Sequence, residues 1–140
     1  MSKILDLVKE AIKEDSSVDA KVSFGNIFNH IAQKINQETG VDCKGSEIII
    51  TAYDIAHAIK GHGNHKEESD RGQIGVIPND FEHIRTIIFE YDSVVRGRDL
   101  RNAKSLVFIK RIIIEYRIIV TVEGKIPNRK MVVKTVFKKP

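Results

Sequence analysis

Residues 104–122, KSLVFIKRIIIEYRIIVTV, constrain this chain more than any other stretch. β-Branched and aromatic side chains crowd a helix and suit a pleated surface, so the run is strand-forming. It is also longer than one ordinary strand. It divides into strands over 105–111 and 114–123, although no Gly or Pro marks a turn between them. A loop, EGKIPN, follows at 123–128. Residues 129–138 then alternate, with Met131, Val133, Thr135 and Phe137 expected on one face and Lys130, Lys134 and Lys138 on the other.

Upstream the period changes. Residues 3–14 place Ile4, Leu5, Leu7, Val8, Ala11 and Ile12 at helical spacing, and Asp15-Ser16-Ser17 breaks the pattern. Ser23 reads as the cap of a second helix with the face Phe24, Ile27, Phe28, Ile31, Ala32 and Ile35, closing at Gly40. Asn79 with Glu82 reads as the start of another helix, whose buried face is Phe81, Ile84, Ile87 and Ile88. Residues 92–97 form a short strand ending in a turn. Helices first and an antiparallel meander last make an α+β domain. At 140 residues the chain suits one domain with a single sizeable core.

Charge is distributed unevenly. The formal net charge is +4, yet residues 96–140 hold thirteen Lys and Arg against Asp99, Glu115 and Glu123, a formal +10. The first two thirds are therefore net acidic, and the basic third suits a phosphate-bearing partner. Lys110, Arg117 and Lys134 are its candidate contacts to such a partner, with Lys60 upstream. The chain has no Trp and few aromatics, which argues against a base-stacking platform. No run approaches the ~20 apolar residues of a membrane span, and the N-terminus does not resemble a secretory signal. Cys43 alone makes no internal disulfide, compatible with a reducing compartment, and the expected location is cytoplasmic.

Chemistry concentrates in residues 51–75, TAYDIAHAIKGHGNHKEESDRGQIG, which carry three of the five histidines. The apolar run Ile48-Ile49-Ile50 leads in. Thr51 and Asp54 read as a capping box, Ile55, Ala58 and Ile59 as a short apolar face, and Gly61 as the helix stop. His57 sits on that helix away from the apolar stripe, and His62 just past its end. A polar loop then runs to Arg71-Gly72-Gln73, ahead of an extended segment over 73–78. A histidine on a short helix is most often a surface or structural group, and His30 and His83 are read that way. A metal site is disfavoured: His57 and His62 are five positions apart, a rotation of roughly 140°, where helical zinc ligands favour four. No cofactor is implied.

HAIKGHG, then RGQIGVIPNDFEHIRTIIFEYDSVV, then a closing strand ending KTVF, together resemble the phage and polymorphic-toxin branch of the barnase–EndoU–colicin–RelE-like nucleases. The resemblance runs from about residue 48 to 137, so residues 1–46 form a helical N-terminal part and 47–140 the nuclease-like core. It implies N-terminal helices packed on an antiparallel sheet of about four strands. It also implies a metal-independent ribonuclease, a toxin acting on tRNA or other RNA, with a cognate immunity or antitoxin protein and no membrane. On the matching positions it implies His57 or His62 as the acid/base, Arg71 as the phosphate-facing cation and Thr135 as a polar group on the last strand. Family members often carry Thr-x-Tyr there, and this chain has Phe137.

That chemistry is self-consistent. Metal-free RNA cleavage needs a base for the 2′-OH proton, an acid for the leaving 5′-oxygen and a fixed cation beside the phosphorane. Histidine titrates near ~6.5 and serves either proton role, and the arginine fork fits phosphate oxygens. The rival expectations are a non-catalytic RNA- or protein-binding module of the same fold, and a phage accessory protein. Phe137 favours the first.

Overall fold

A computed structural model describes residues 3–14 and 20–140, with the side chains of residues 10, 12–14 and 62 outside the description. The expected break at Asp15-Ser16-Ser17 and the side chain of Ile12 lie outside the described residues. Helix α1 (Lys3–Glu14) buries Ile4, Leu7, Val8 and Ala11. Strand β1 (Lys21–Asn26) follows, then α2 (Asn29–Thr39), β2 (Glu47–Thr51), α3 (Ala52–His62) and α4 (His65–Asp70). A 3-10 turn (Pro78–His83) runs into α5 (Ile84–Phe89). Strands β3 (Ser93–Arg96), β4 (Lys104–Ile112), β5 (Ile114–Glu123) and β6 (Lys130–Lys139) complete the chain.

The α+β class holds, but the sheet is larger than the expected four strands. It has six, in the order β1-β2-β6-β5-β4-β3, and the β2–β6 pair is parallel while the others are antiparallel. Two strands come from upstream segments. β1 occupies residues expected at the start of the second helix, and α2 begins only at Asn29, with Phe28 as its cap residue in extended conformation. The sequence KVSFGN pairs with β2 and half-buries Val22 and Phe24 at alternate positions. The N-terminal part is therefore not wholly helical. Gly40 closes α2 in the left-handed conformation, as its position suggests.

β4 and β5 divide as their composition indicates, and Ile113 alone joins them at φ +66°. One face of the sheet carries Leu106, Phe108, Ile118, Val120, Met131, Val133 and Val136, all buried in the same core as Ile84, Ile87 and Ile88 of α5. On that side Lys138 Nζ lies 2.7 Å from Asp80 Oδ2, and Tyr116 donates to Asp80 Oδ1 at 2.7 Å. All three side chains are buried. Asp80 thus satisfies a charge and a phenol at once, fixing the 3-10 turn to the sheet. Burial and the Asp80 carboxylate push the Tyr116 phenol up. α3 packs against both α1 and β6.

The alternation expected along β6 fails at one position. Ile119 pairs with Thr135 but Val120 pairs with Val133, so Lys134 is an extra residue in the strand. A bulge of this kind shifts every later side chain to the other face. Val136 and Lys138 therefore turn inward with Met131 and Val133, and Thr135 moves to the face opposite the core.

Candidate active site

The bulge opens onto a cleft of about 950 Å³ between α3 and the outer face of the sheet. Ile119, Thr121 and Glu123 of β5, with Lys134 and Thr135 of β6, form its floor. Tyr53, Asp54, His57 and Gly61 of α3 form one wall. The turn at 100–104 forms another, and Asp42 and Arg129 close one end.

The α3 wall is set by its cap. Thr51 accepts from Asp54 N–H at 3.1 Å and donates its hydroxyl to Asp54 Oδ2 at 2.8 Å. The capping pair thus forms as its sequence suggests, but it also holds a carboxylate at the cleft. Asp54 is only 4% exposed, and burial pushes its carboxyl above the ordinary carboxylate value, with Thr51 and Lys134 pulling the other way. Lys134 Nζ stands 4.0 Å from Asp54 Oδ1 and 3.4 Å from Glu123 Oε2. Thr121 donates to Glu123 Oε2 from the next strand position but one. His57 is exposed on the following turn of α3, its ring nearly parallel to Tyr53 at 6.1 Å between centroids and 9°. Four residues apart on a helix, the two rings share one face.

Of the residues expected at the site, His57, Thr135 and Lys134 are brought together here. His62 ends α3, one residue beyond the expected stop, and its side chain is outside the described residues; Gly63 is the cap. Arg71 does not face the cleft. Its guanidinium is bonded to the buried Glu68 carboxylate and to Gly61 O at 2.9 Å, tying α4 to the end of α3. The polar loop expected there is largely α4, capped by Asn64. His65 lies against the chain at Gly75, where any side chain would collide with its ring.

Lys60 is exposed on α3 outside the cleft lining. Lys110 bonds to Glu90 O at 2.7 Å, and Arg117, on the strand face that carries Ile119, bonds to Glu115 at 2.8 Å; neither is among the residues lining the cleft. The wider charge asymmetry is reduced by folding. Acids from the first two thirds, Asp42, Glu47, Asp80 and Asp92, pair with Arg129, Lys130, Lys138 and Lys110. Among the described residues no group of three or more His, Cys, Asp and Glu is arranged to hold a metal. No described helix is long and apolar enough to cross a membrane.

Sequence reasoning missed Asp54, Tyr53, Thr121 and Glu123 as site residues. A signal existed for Tyr53, whose spacing from His57 puts both on one helix face. Asp54 was concealed because its cap role already accounts for it.

The α+β domain thus gathers a carboxyl, an imidazole and several cations around one cleft between α3 and the sheet. The family model described as phage-Barnase-EndoU-ColicinE5/D-RelE like nuclease3 matches residues 25–140, and the chain belongs to that nuclease family. Comparisons with curated proteins and with solved structures find no match.

Proposed function

We propose that this nuclease-family chain is an endoribonuclease that cleaves by 2′-OH attack in the α3–sheet cleft. The observation that carries the reading is the set His57, Asp54, Lys134 and Thr135 on one cleft. Asp54 takes the proton from the 2′-OH as the 2′-oxygen bonds to phosphorus. The bond from phosphorus to the 5′-oxygen then breaks, and His57 supplies that oxygen with its proton. The products are a 2′,3′-cyclic phosphate and a 5′-hydroxyl. A carboxyl raised by burial suits the base role, since proton transfer works best with a pKa nearer the working pH. Lys134 supplies the cation beside the phosphorane, and Thr135 a hydroxyl donor.

In this scheme Arg71 is a strut between α3 and α4. Tyr53 brings to the cleft a phenol, the group that Phe137 lacks on β6. The reaction draws every proton-transfer group from side chains and needs no metal. Acting on tRNA or other RNA in the cytoplasm as a toxin, such an enzyme needs a neutralising immunity or antitoxin protein in the cell that makes it.

The test is incubation of the purified protein with total RNA in excess EDTA. Discrete fragments ending in cyclic phosphate are expected, and His57→Ala should slow their formation by roughly 10²–10⁴. No cleavage by the wild type would favour the binding-module reading.

A further inference from the structure

Among the described residues four cations line the cleft, and they are not equivalent. Arg129 lies 3.4 Å from Asp42, and Lys134 lies between Asp54 and Glu123. Arg101 and Lys104 also line it, and among the described residues neither side chain has a hydrogen-bond or ion-pair partner. The one acid nearby in the chain, Asp99, is taken by Arg96 at 2.9 Å. The connection from β3 to β4 therefore presents two uncompensated charges to the cleft, on a different wall from His57.

The backbone presenting them is strained. Leu100 and Ala103 exchange both backbone hydrogen bonds, at 2.9 and 2.8 Å, around a two-residue turn. Arg101 and Asn102 occupy it at φ +48° and +67°. Such a turn favours Asn-Gly or Gly-Gly, because both central residues are left-handed. Asn tolerates that region, but arginine at the first position is conformationally disfavoured. The turn is also braced from beneath. Ser105, buried, donates to Arg98 O at 2.6 Å, and Gly97 approaches so closely that a side chain there would collide with the Ser105 hydroxyl. A long, flexible cation held at a costly backbone position on a rigid support points to use rather than solvation.

We infer that the 100–104 turn is a phosphate clamp. Arg101 and Lys104 hold an RNA backbone phosphate next to the one that is cleaved, so that the strand lies between the turn and α3. The inference rests on the proposed ribonuclease reading for its substrate, and it assigns a binding subsite that the reaction itself does not require.

The experiment measures binding of a mixed-sequence 2′-O-methyl oligoribonucleotide, which lacks the attacking hydroxyl, as a function of salt. The proteins are wild type, Arg101→Gly, Arg101→Ala, Lys104→Gln and, as a charge-matched control, Arg85→Gln. Arg85 lies over the Phe89 ring on α5, outside the cleft. Each clamp substitution should lower the salt slope by about 0.7 and the affinity about fivefold at 0.1 M salt. The control should change neither. Arg101→Gly should in addition raise the melting temperature, since glycine relieves the left-handed strain.

Wild-type affinity and salt slope in Arg101→Gly and Arg101→Ala, while RNA is still cleaved, would overturn the clamp and leave the nuclease reading standing. Weakened binding by the variants with no RNA cleaved by any protein would support the clamp and remove the nuclease reading. No binding by the wild type would overturn the clamp, and the nuclease reading with it only if RNA is not cleaved either.

Discussion

Lys134 Nζ lies 4.0 Å from Asp54 Oδ1, and the residue that makes this approach is the one that β6 carries in excess of its partner strand. The bulge thus does two things at the cleft. It leaves Lys134 between Asp54 and Glu123, and it turns Thr135 outward from the core. Local departures from strand pairing commonly re-aim side chains at active sites in this way.

The electrostatics of that trio predict opposite shifts in the pH–rate profile. Burial raises Asp54, Lys134 lowers it and Glu123 raises it. As a base, Asp54 must be ionised, so kcat/KM should climb with pH through its pKa, and as the acid His57 must hold its proton, so the profile should fall again at higher pH. Glu123→Gln removes a like charge and should move the acid limb to lower pH. Lys134→Met removes the opposing charge and should move it to higher pH, with a reduced maximum. Limbs that coincide in all three proteins would take Asp54 out of the base role.

Arg71 gives a second contrast. A phosphate-facing arginine would change RNA affinity and salt slope directly, whereas this one binds Glu68 and Gly61 O. Arg71→Ala should lower stability by about 1–2 kcal/mol, because the buried Glu68 loses a charged partner. It should slow cleavage through the displaced end of α3, and leave the salt slope of RNA binding as in the wild type. Denaturant unfolding and a salt titration separate the two roles.

Much of this architecture is legible in the sequence. Ile31, Ala32 and Ile35 on α2, Ile84, Ile87 and Ile88 on α5, the Thr51–Asp54 cap and the division of residues 104–122 follow from periodicity and side-chain shape, while Phe24, Ile27 and Phe28 of the expected second-helix face lie ahead of α2. What escaped is non-local. Nothing within residues 21–26 announces that they pair with β2, and Ser23 fits a helix cap as well as a strand position. The parallel β2–β6 contact joins segments over eighty residues apart, Glu47 with Lys130. The bulge has no glycine to mark it, so alternation read across Lys134 put Thr135 on the wrong face.

The candidate cleft was legible to the same degree. The family resemblance picks out His57 and Thr135 and the basic third of the chain Lys134, whereas Arg71 satisfied the chemical requirement and is engaged elsewhere. Sequence charge counts overstated the basic surface, because acids distant in the chain neutralise Lys110, Arg129, Lys130 and Lys138 on folding.

Ile113 offers a test of strain away from the cleft. It joins β4 to β5 at φ +66° and is 93% exposed, so its side chain gains little from burial while its backbone sits where a β-branched residue is disfavoured. Ile113→Asn should stabilise the protein by about 1 kcal/mol, with cleavage rate unchanged. Lower stability in thermal unfolding would show that Ile113 makes contacts that offset its backbone cost.

Asp54 carries the sharpest stability consequence. Its carboxyl is raised in the folded chain, chiefly by burial, so the folded state holds that proton more readily than the unfolded state does. The buried carboxylate therefore costs stability at a pH above its folded pKa. That cost fades as pH falls and is gone below the unfolded value near ~3.9. Asp54→Asn keeps the backbone N–H bonded to Thr51 and an oxygen to accept the Thr51 hydroxyl, but removes the charge. The variant should melt above the wild type at neutral pH, and the two curves should converge as pH approaches ~3.9. Its cleavage rate should fall by roughly 10²–10⁴, the contribution of a positioned base. A variant less stable than wild type at neutral pH would mean that the Lys134 and Thr51 interactions outweigh desolvation. One that melts higher and still cleaves at the wild-type rate would leave Asp54 as a helix cap alone.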